Sequence, residues 1–178
     1  MKTLIASFSL TGNNTMLAHH LAAALEADHE EITAERGMGN FALALDAMLN
    51  RTPAIAAPIH DPSQYDLVVV VGPVWMGKIA SPIRSYLKRR RSSLSRVAFL
   101  SICGGALGRN PGVPRQVERL LGTSPAAVTQ LYVNDLLPAE QQGDAKATSA
   151  YRVTEADLEG GWKPQIADFV RTLGVPTG

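Results

Sequence analysis

The chain has 178 residues, 46% hydrophobic, 6% aromatic and 19% charged, an ordinary composition with enough length to bury a sizeable core. A net charge of +1 gives no global attraction to nucleic acid or to a membrane surface, and no run approaches the ~20 apolar residues of a spanning helix. The single cysteine, Cys103, excludes an internal disulfide and fits a reducing cytoplasm, while Ser7, Ser9 and Gly12 interrupt the apolar start, which does not read as a secretory signal.

Lys2 to Phe8 (KTLIASF) reads as a first strand and Met16 to Leu25 as the helix after it. His29 to Thr33 is a short second strand. Gly37 and Gly39 break the chain before Phe41 to Leu49, whose apolar spacing is helical. Thr52 to Tyr65 carries Pro53, Pro58 and Pro62 and is expected to be loop. Leu67 to Val71 (LVVVV) is a strand of continuous apolar residues, the pattern of a parallel sheet covered on both faces. A helix follows from Ser81 to Arg90, a fourth strand from Val97 to Cys103, a helix from Pro114 to Leu121 and a fifth strand from Val128 to Val133. Asn134 to Tyr151 is polar and aperiodic. Thr154 opens a last helix, with Glu155 and Asp157 in its first turn, which resumes from Lys163 to Leu173. Strands alternating with helices, with no repeat and no long linker, predict a doubly wound α/β sheet and a single domain over residues 1–178.

In such sheets ligands bind beyond the carboxyl ends of the strands. The first of these ends, Ser9-Leu10-Thr11-Gly12-Asn13-Asn14-Thr15, is built from hydroxyls, amides and one glycine, with no cation. The helix N-terminus behind it offers unpaired N–H groups and a partial positive charge, so the stretch suits a phosphate held by neutral donors. A plain reading stands beside this one, in which Ser and Thr only cap the helix. The second end, Gly72 to Ile79, mimics a nucleoside-triphosphate loop. Its eighth position is Ile79 where a metal-binding hydroxyl is needed, Pro73 lacks an N–H, and Trp75 fills the middle. Trp75 offers a flat face to a planar ligand or packs into the core. The third end is Cys103-Gly104-Gly105. Gly37-x-Gly39-x-x-Ala42 follows the wrong strand for a dinucleotide fingerprint. His19, His20, His29 and His60 lack metal-ligand spacing and read as surface residues. Lys88 to Arg91 reads as a cationic helix end, and Ser101 and Cys103, with no base placed for either, as loop and core residues.

Taken together, S-L-T-G-N-N-T, GPVWMGKIASPIRSYL and SICGG, in this order along nearly the whole chain, resemble the flavodoxin-like FMN-binding flavoproteins, of flavodoxin or NAD(P)H-dependent quinone-reductase type. The resemblance implies a five-stranded parallel sheet of order 2-1-3-4-5 and one FMN. On it, Ser9, Thr11, Gly12, Asn13, Asn14 and Thr15 hold the phosphate. Trp75, with its neighbours Pro73, Val74, Met76, Gly77 and Lys78, contacts the isoalloxazine, and Cys103, Gly104 and Gly105 its pyrimidine edge. The chain departs from the family in reading G-N-N-T where G-N-T is common, and in placing Met76 between Trp75 and Gly77.

Between Asp66 and Glu118 there is no acidic residue, and nine cations: Lys78, Arg84, Lys88, Arg89, Arg90, Arg91, Arg96, Arg109 and Arg115. Positive charge near a flavin favours its anionic reduced form and raises its potential. It also attracts the phosphates of NAD(P)H. The family's electron shuttles usually carry an acidic rim, so the basic stretch favours an FMN oxidoreductase that takes hydride from NAD(P)H and passes electrons to a quinone-like acceptor. The alternatives are a single-electron carrier that docks to a redox partner protein, and a partner-binding module without flavin. No nucleic-acid partner and no catalytic side chain are expected.

Overall fold

The structure, a computed structural model, describes residues 1–34 and 51–175. The helix expected over Phe41 to Leu49 and the glycines before it lie outside the described residues. In chain order the elements are β1 (Thr3–Ser7), α1 (Asn13–Ala24), β2 (Asp28–Glu31), β3 (Leu67–Val71), the hairpin strands β4 (Val74–Trp75) and β5 (Lys78–Ile79), α2 (Ser81–Arg90), β6 (Val97–Cys103), α3 (Val113–Leu121), β7 (Ala127–Tyr132), α4 (Ala145–Ala150), α5 (Glu155–Glu159) and α6 (Lys163–Leu173).

Five strands form one parallel sheet of order β2-β1-β3-β6-β7, the 2-1-3-4-5 order of the sheet strands in sequence. The register sets Thr3 to Ser7 against Leu67 to Val71, and Val68 to Val71 against Val97 to Leu100. The continuous apolar runs follow from helices on both faces. Val68, Val70 and Phe99 face the side covered by α2 and α3 through Ile83, Leu87, Val113 and Val117. Leu67, Val69, Val71 and Leu100 face the other side, covered by α1 and α6 through Leu17, Leu21, Ile166 and Phe169. Trp162, at the start of α6, is fully buried in that second layer. Among the described residues no helix is long and apolar enough to cross a membrane.

Four elements differ from the sequence reading. α1 begins at Asn13 and not at Met16, because Gly12 (φ 89°) turns the chain directly into the helix, whose first bond runs from Met16 N–H to Gly12 C=O. The stretch from Gly72 to Ile79 is not a simple loop. β4 and β5 pair antiparallel about Met76 (φ 48°) and Gly77 (φ 75°), the two positive φ values of a tight hairpin turn. The aperiodic 134–151 segment carries α4, started by Asp144, whose carboxylate accepts from Lys146 N–H. The last helix is two helices, and the first of them opens on a capping box between Thr154 and Asp157.

Candidate functional site

All three loops singled out from sequence follow parallel strands, so the sheet brings them to one edge, the carboxyl ends of β1, β3 and β6. Two adjoining cavities open there. One, of about 180 Å³, is lined by Thr11, Asn13, Asn14, Pro73 and Ile102 among others. The other, of about 560 Å³, runs between the Met76–Gly77 turn and the loop from Gly105 to Gly112. Val74, Trp75, Cys103, Gly104, Thr148 and Ser149 line both.

The 9–15 loop is organised around one oxygen. Gly12 N–H and Asn14 N–H both donate to Ser9 Oγ, at 3.1 and 3.2 Å. Two backbone donors converging on one oxygen at a helix N-terminus are the local chemistry that a phosphate oxygen requires. Thr11 is exposed and Ser9 and Thr15 are half-buried, which leaves their hydroxyls within reach of a ligand. A side chain at position 12 would meet no atom within 4 Å, so the glycine is needed for its left-handed backbone and not for space.

The two asparagines do something else. Asn14 Nδ2 donates to Ile102 C=O at 3.0 Å and its Oδ1 accepts from Ile102 N–H at 2.9 Å. Ile102 lies two residues beyond Leu100, the last residue of β6 paired with β3, so the amide takes the place of a further strand residue. Asn13 makes the same two-sided contact with the 151–153 segment, Nδ2 donating to Tyr151 C=O and Oδ1 accepting from Val153 N–H, each at 3.1 Å. Both side-chain amides that the resemblance assigns to phosphate thus have partners within the protein. Their amides lock the loop to β6 and to the chain after α4.

Trp75 stands between the core and the cavities. It packs edge-on against Phe8, ring centroids 6.2 Å apart, and also lines both cavities. Gln116 braces the hairpin, accepting from Ile79 N–H at 3.4 Å and donating to Gly77 C=O. Cys103 lines the cavities yet is buried, and burial pushes its thiol up to about 12, so it is protonated at neutral pH and no nucleophile. Gly105 (φ 81°) brings the loop over Tyr132, whose ring would lie 2.8 Å from a side-chain carbon at that position.

The outer wall, Ala145, Thr148 and Ser149 of α4, was not foreseen. A helix of six small and polar residues has no apolar stripe to reveal it, and Asp144 as its cap was the one available signal.

The charge expected around the site is also redistributed. α2 runs from the hairpin back toward the start of β6, so Lys88, Arg89, Arg90 and Arg91 lie toward the opposite edge of the sheet. Arg96 is there too, donating to Leu173 C=O. Of the nine cations, Lys78, Arg109 and Arg115 stay near the strand ends, and Arg109 is paired twice with Asp135, at 2.9 and 3.1 Å, while covering the Tyr132 ring at 4.2 Å. The histidines are more engaged than surface residues. His29 Nε2 is hydrogen-bonded to Ser7 Oγ at 2.9 Å, and His60 to Tyr65. His20 sits between Glu155 and Glu159, the three ligand atoms within 4.8 Å of one another; Lys163 pairs with Glu159, and the group reads as an ion-pair cluster.

No protein-family model and no curated protein matches the chain. Solved structures do. A flavoprotein from Lactobacillus acidophilus NCFM, solved in complex with FMN, aligns with a TM-score of 0.62 and 22% identity over 72% of this chain and 92% of that one. A flavodoxin from Streptococcus pneumoniae TIGR4 aligns over 97% of this chain and 99% of its own, with a TM-score of 0.53 and 12% identity. A flavodoxin from the domain Archaea has the same coverage, a TM-score of 0.50 and 14% identity. At such identities the likeness is one of fold.

Proposed function

From the premise that the chain has the flavodoxin-like fold, we propose that it binds FMN at the carboxyl edge of the sheet and works as an NAD(P)H-dependent oxidoreductase. The carrying observation is the convergence of Gly12 and Asn14 N–H on one oxygen, at the mouth of cavities walled by the hairpin and the β6 loop. The donor set fits a phosphate ester. Backbone N–H groups at the start of α1 and the hydroxyls of Ser9, Thr11 and Thr15 would hold it, and no side-chain cation is needed. Trp75, Met76 and Gly77 on one side and Cys103 to Gly105 on the other would flank the ring, with Thr148 and Ser149 closing the outer wall.

When bound, FMN supplies the chemistry, accepting hydride from NAD(P)H and delivering electrons to a quinone-like acceptor. The protein's part is to orient the ring and exclude water. Among the described residues the larger cavity has an uncharged lining apart from Arg109, itself paired with Asp135, which suits an uncharged planar acceptor. A carrier that docks to a redox partner protein is the second reading. It is favoured by Leu10, Met76 and Leu107, large apolar residues exposed by 36%, 75% and 87% on the three loops around the site.

The test has two stages. The chain should bind FMN at least tenfold more tightly than riboflavin, which lacks the phosphate; equal affinities would remove the phosphate assignment. Anaerobic addition of NADH or NADPH should then bleach the flavin absorbance within the mixing time of a turnover assay. Flavin that binds but stays oxidised with both nucleotides would make the protein a carrier.

A further inference from the structure

The cations of the acid-free stretch that leave the strand ends collect elsewhere. α2 and α3 pack side by side on one face of the sheet, and between them lies a groove of about 510 Å³, the size of a small-molecule site. Lys88, Arg91 and Arg119 line it with Arg84, Gln116 and Thr52, and among the described residues no acidic side chain does. Two of these cations are held in place. Arg84 donates to the Arg51 carbonyl. The Arg91 guanidinium lies against Gly122 at the end of α3, so close that a side-chain carbon there would meet it at 1.7 Å, and the helix carbonyls favour a cation at that point. Glu118, the acid of α3, is turned to Ser124 at 2.7 Å and does not line the groove.

Lys88, Arg91 and Arg119, three like charges lining one small volume, repel one another, and an anion with several oxygens relieves that repulsion. Guanidinium forks match phosphate geometry, and the ammonium of Lys88 adds a point charge. The groove also adjoins the flavin hairpin, because Gln116 lines it and holds both Gly77 C=O and Ile79 N–H. We propose that the α2–α3 groove is a phosphomonoester site. Resting on the NAD(P)H reading above, the ester is the adenosine 2′-phosphate of NADPH, so that the groove selects NADPH over NADH.

Calorimetric titration of the full chain with adenosine 2′,5′-bisphosphate, with 5′-AMP and with inorganic phosphate tests the site without relying on turnover. The bisphosphate should bind at least tenfold more tightly than 5′-AMP. Lys88→Ala and Arg119→Ala should each weaken it about tenfold while leaving FMN affinity unchanged. Anaerobic flavin reduction should need less NADPH than NADH, and the two variants should erase that difference by raising the NADPH requirement alone. Bisphosphate and 5′-AMP binding alike, or variants that change nothing, overturn the site. Inorganic phosphate binding as tightly as the bisphosphate overturns the nucleotide source. Tight bisphosphate binding, lost in the variants, with no reduction by either dinucleotide upholds the phosphomonoester site and overturns the reductase reading.

Discussion

The first and third loops at the site are held by opposite means. The 9–15 loop contains no charged residue and is fixed from behind by amides, Asn14 to Ile102 and Asn13 to the 151–153 segment. The 103–110 loop is fixed at the surface by charge, Arg109 gripping Asp135 and lying over Tyr132. Buried amide bonds do not change with salt, whereas an exposed ion pair is screened. A loop proposed to hold a phosphate has to keep its shape, which requires the locking groups to point away from the ligand. Adjacent residues thereby divide the work. Asn13 and Asn14 keep the loop in place, Gly12 and Asn14 N–H close on Ser9 Oγ, and Thr11 stays exposed.

The sharpest way to break this contrast is Asn14→Ala. It leaves both Ile102 N–H and Ile102 C=O without their partner in a buried setting. Two buried groups left unpaired cost roughly 2–4 kcal/mol, read as a lower urea midpoint of the flavin-free protein. A midpoint within error of the parent would show that water replaces the amide. Thr11→Ala should do the reverse. Thr11 is exposed and its loss should not move the urea midpoint, while FMN affinity falls by about 1.5–3 kcal/mol, the worth of a hydrogen bond to a charged group. Unchanged FMN affinity would leave Thr11 as a helix-entrance residue only.

The uneven legibility of the site follows the same division. Strands β3 and β6 read directly from LVVVV and VAFLSIC because both faces are covered, and such burial leaves an uninterrupted apolar signature. α2 was equally plain, from Ser81 to Arg90. The donor character of Ser9 to Thr15 is local chemistry and was visible as such. The asparagine locks were not, since their partners lie 88 and about 140 residues away. The β4–β5 hairpin was hidden because strands of two residues carry no period and its turn places Met76, not Asn or Gly, at a positive φ. The net charge beside the larger cavity is not legible from a count along the chain, for a topological reason. A sequence count does not say that α2 carries its cations to the far edge of the sheet, or that Asp135, from beyond β7, returns to neutralise Arg109.

That last point gives the third test. Asp135→Asn should cost about 0.5–1 kcal/mol of stability at low salt, because the pair is exposed, and nothing measurable at 1 M salt. The same change leaves the Arg109 charge uncompensated beside the larger cavity, so the potential of bound FMN should rise, measured by dye-linked reductive titration. A potential that falls or stays level would place Arg109 out of electrostatic reach of the flavin.

The smallest effect concerns the root of the first loop. β1 ends at Ser7, whose hydroxyl is hydrogen-bonded to Nε2 of His29 on the neighbouring strand β2. His29 is half-buried, and the His19 ring stands edge-on to it with centroids 4.9 Å apart. Burial first, and the nearby His19 second, hold the His29 pKa below its ordinary 6.5, outweighing Glu31 and Glu30, which pull the other way. The folded state thus favours the neutral ring, and the unfolded chain binds the proton more readily. Stability from this group is complete above pH 6.5 and is lost as the pH falls from 6.5 toward the lowered folded value. His29→Gln keeps a polar partner for Ser7 and removes the titration. Urea midpoints measured from pH 7.5 to 5.0 should fall less steeply for His29→Gln than for the parent, with the two curves diverging only below pH 6.5. Parallel curves would mean that the Ser7–His29 contact survives protonation and that other groups set the acid limit of the fold.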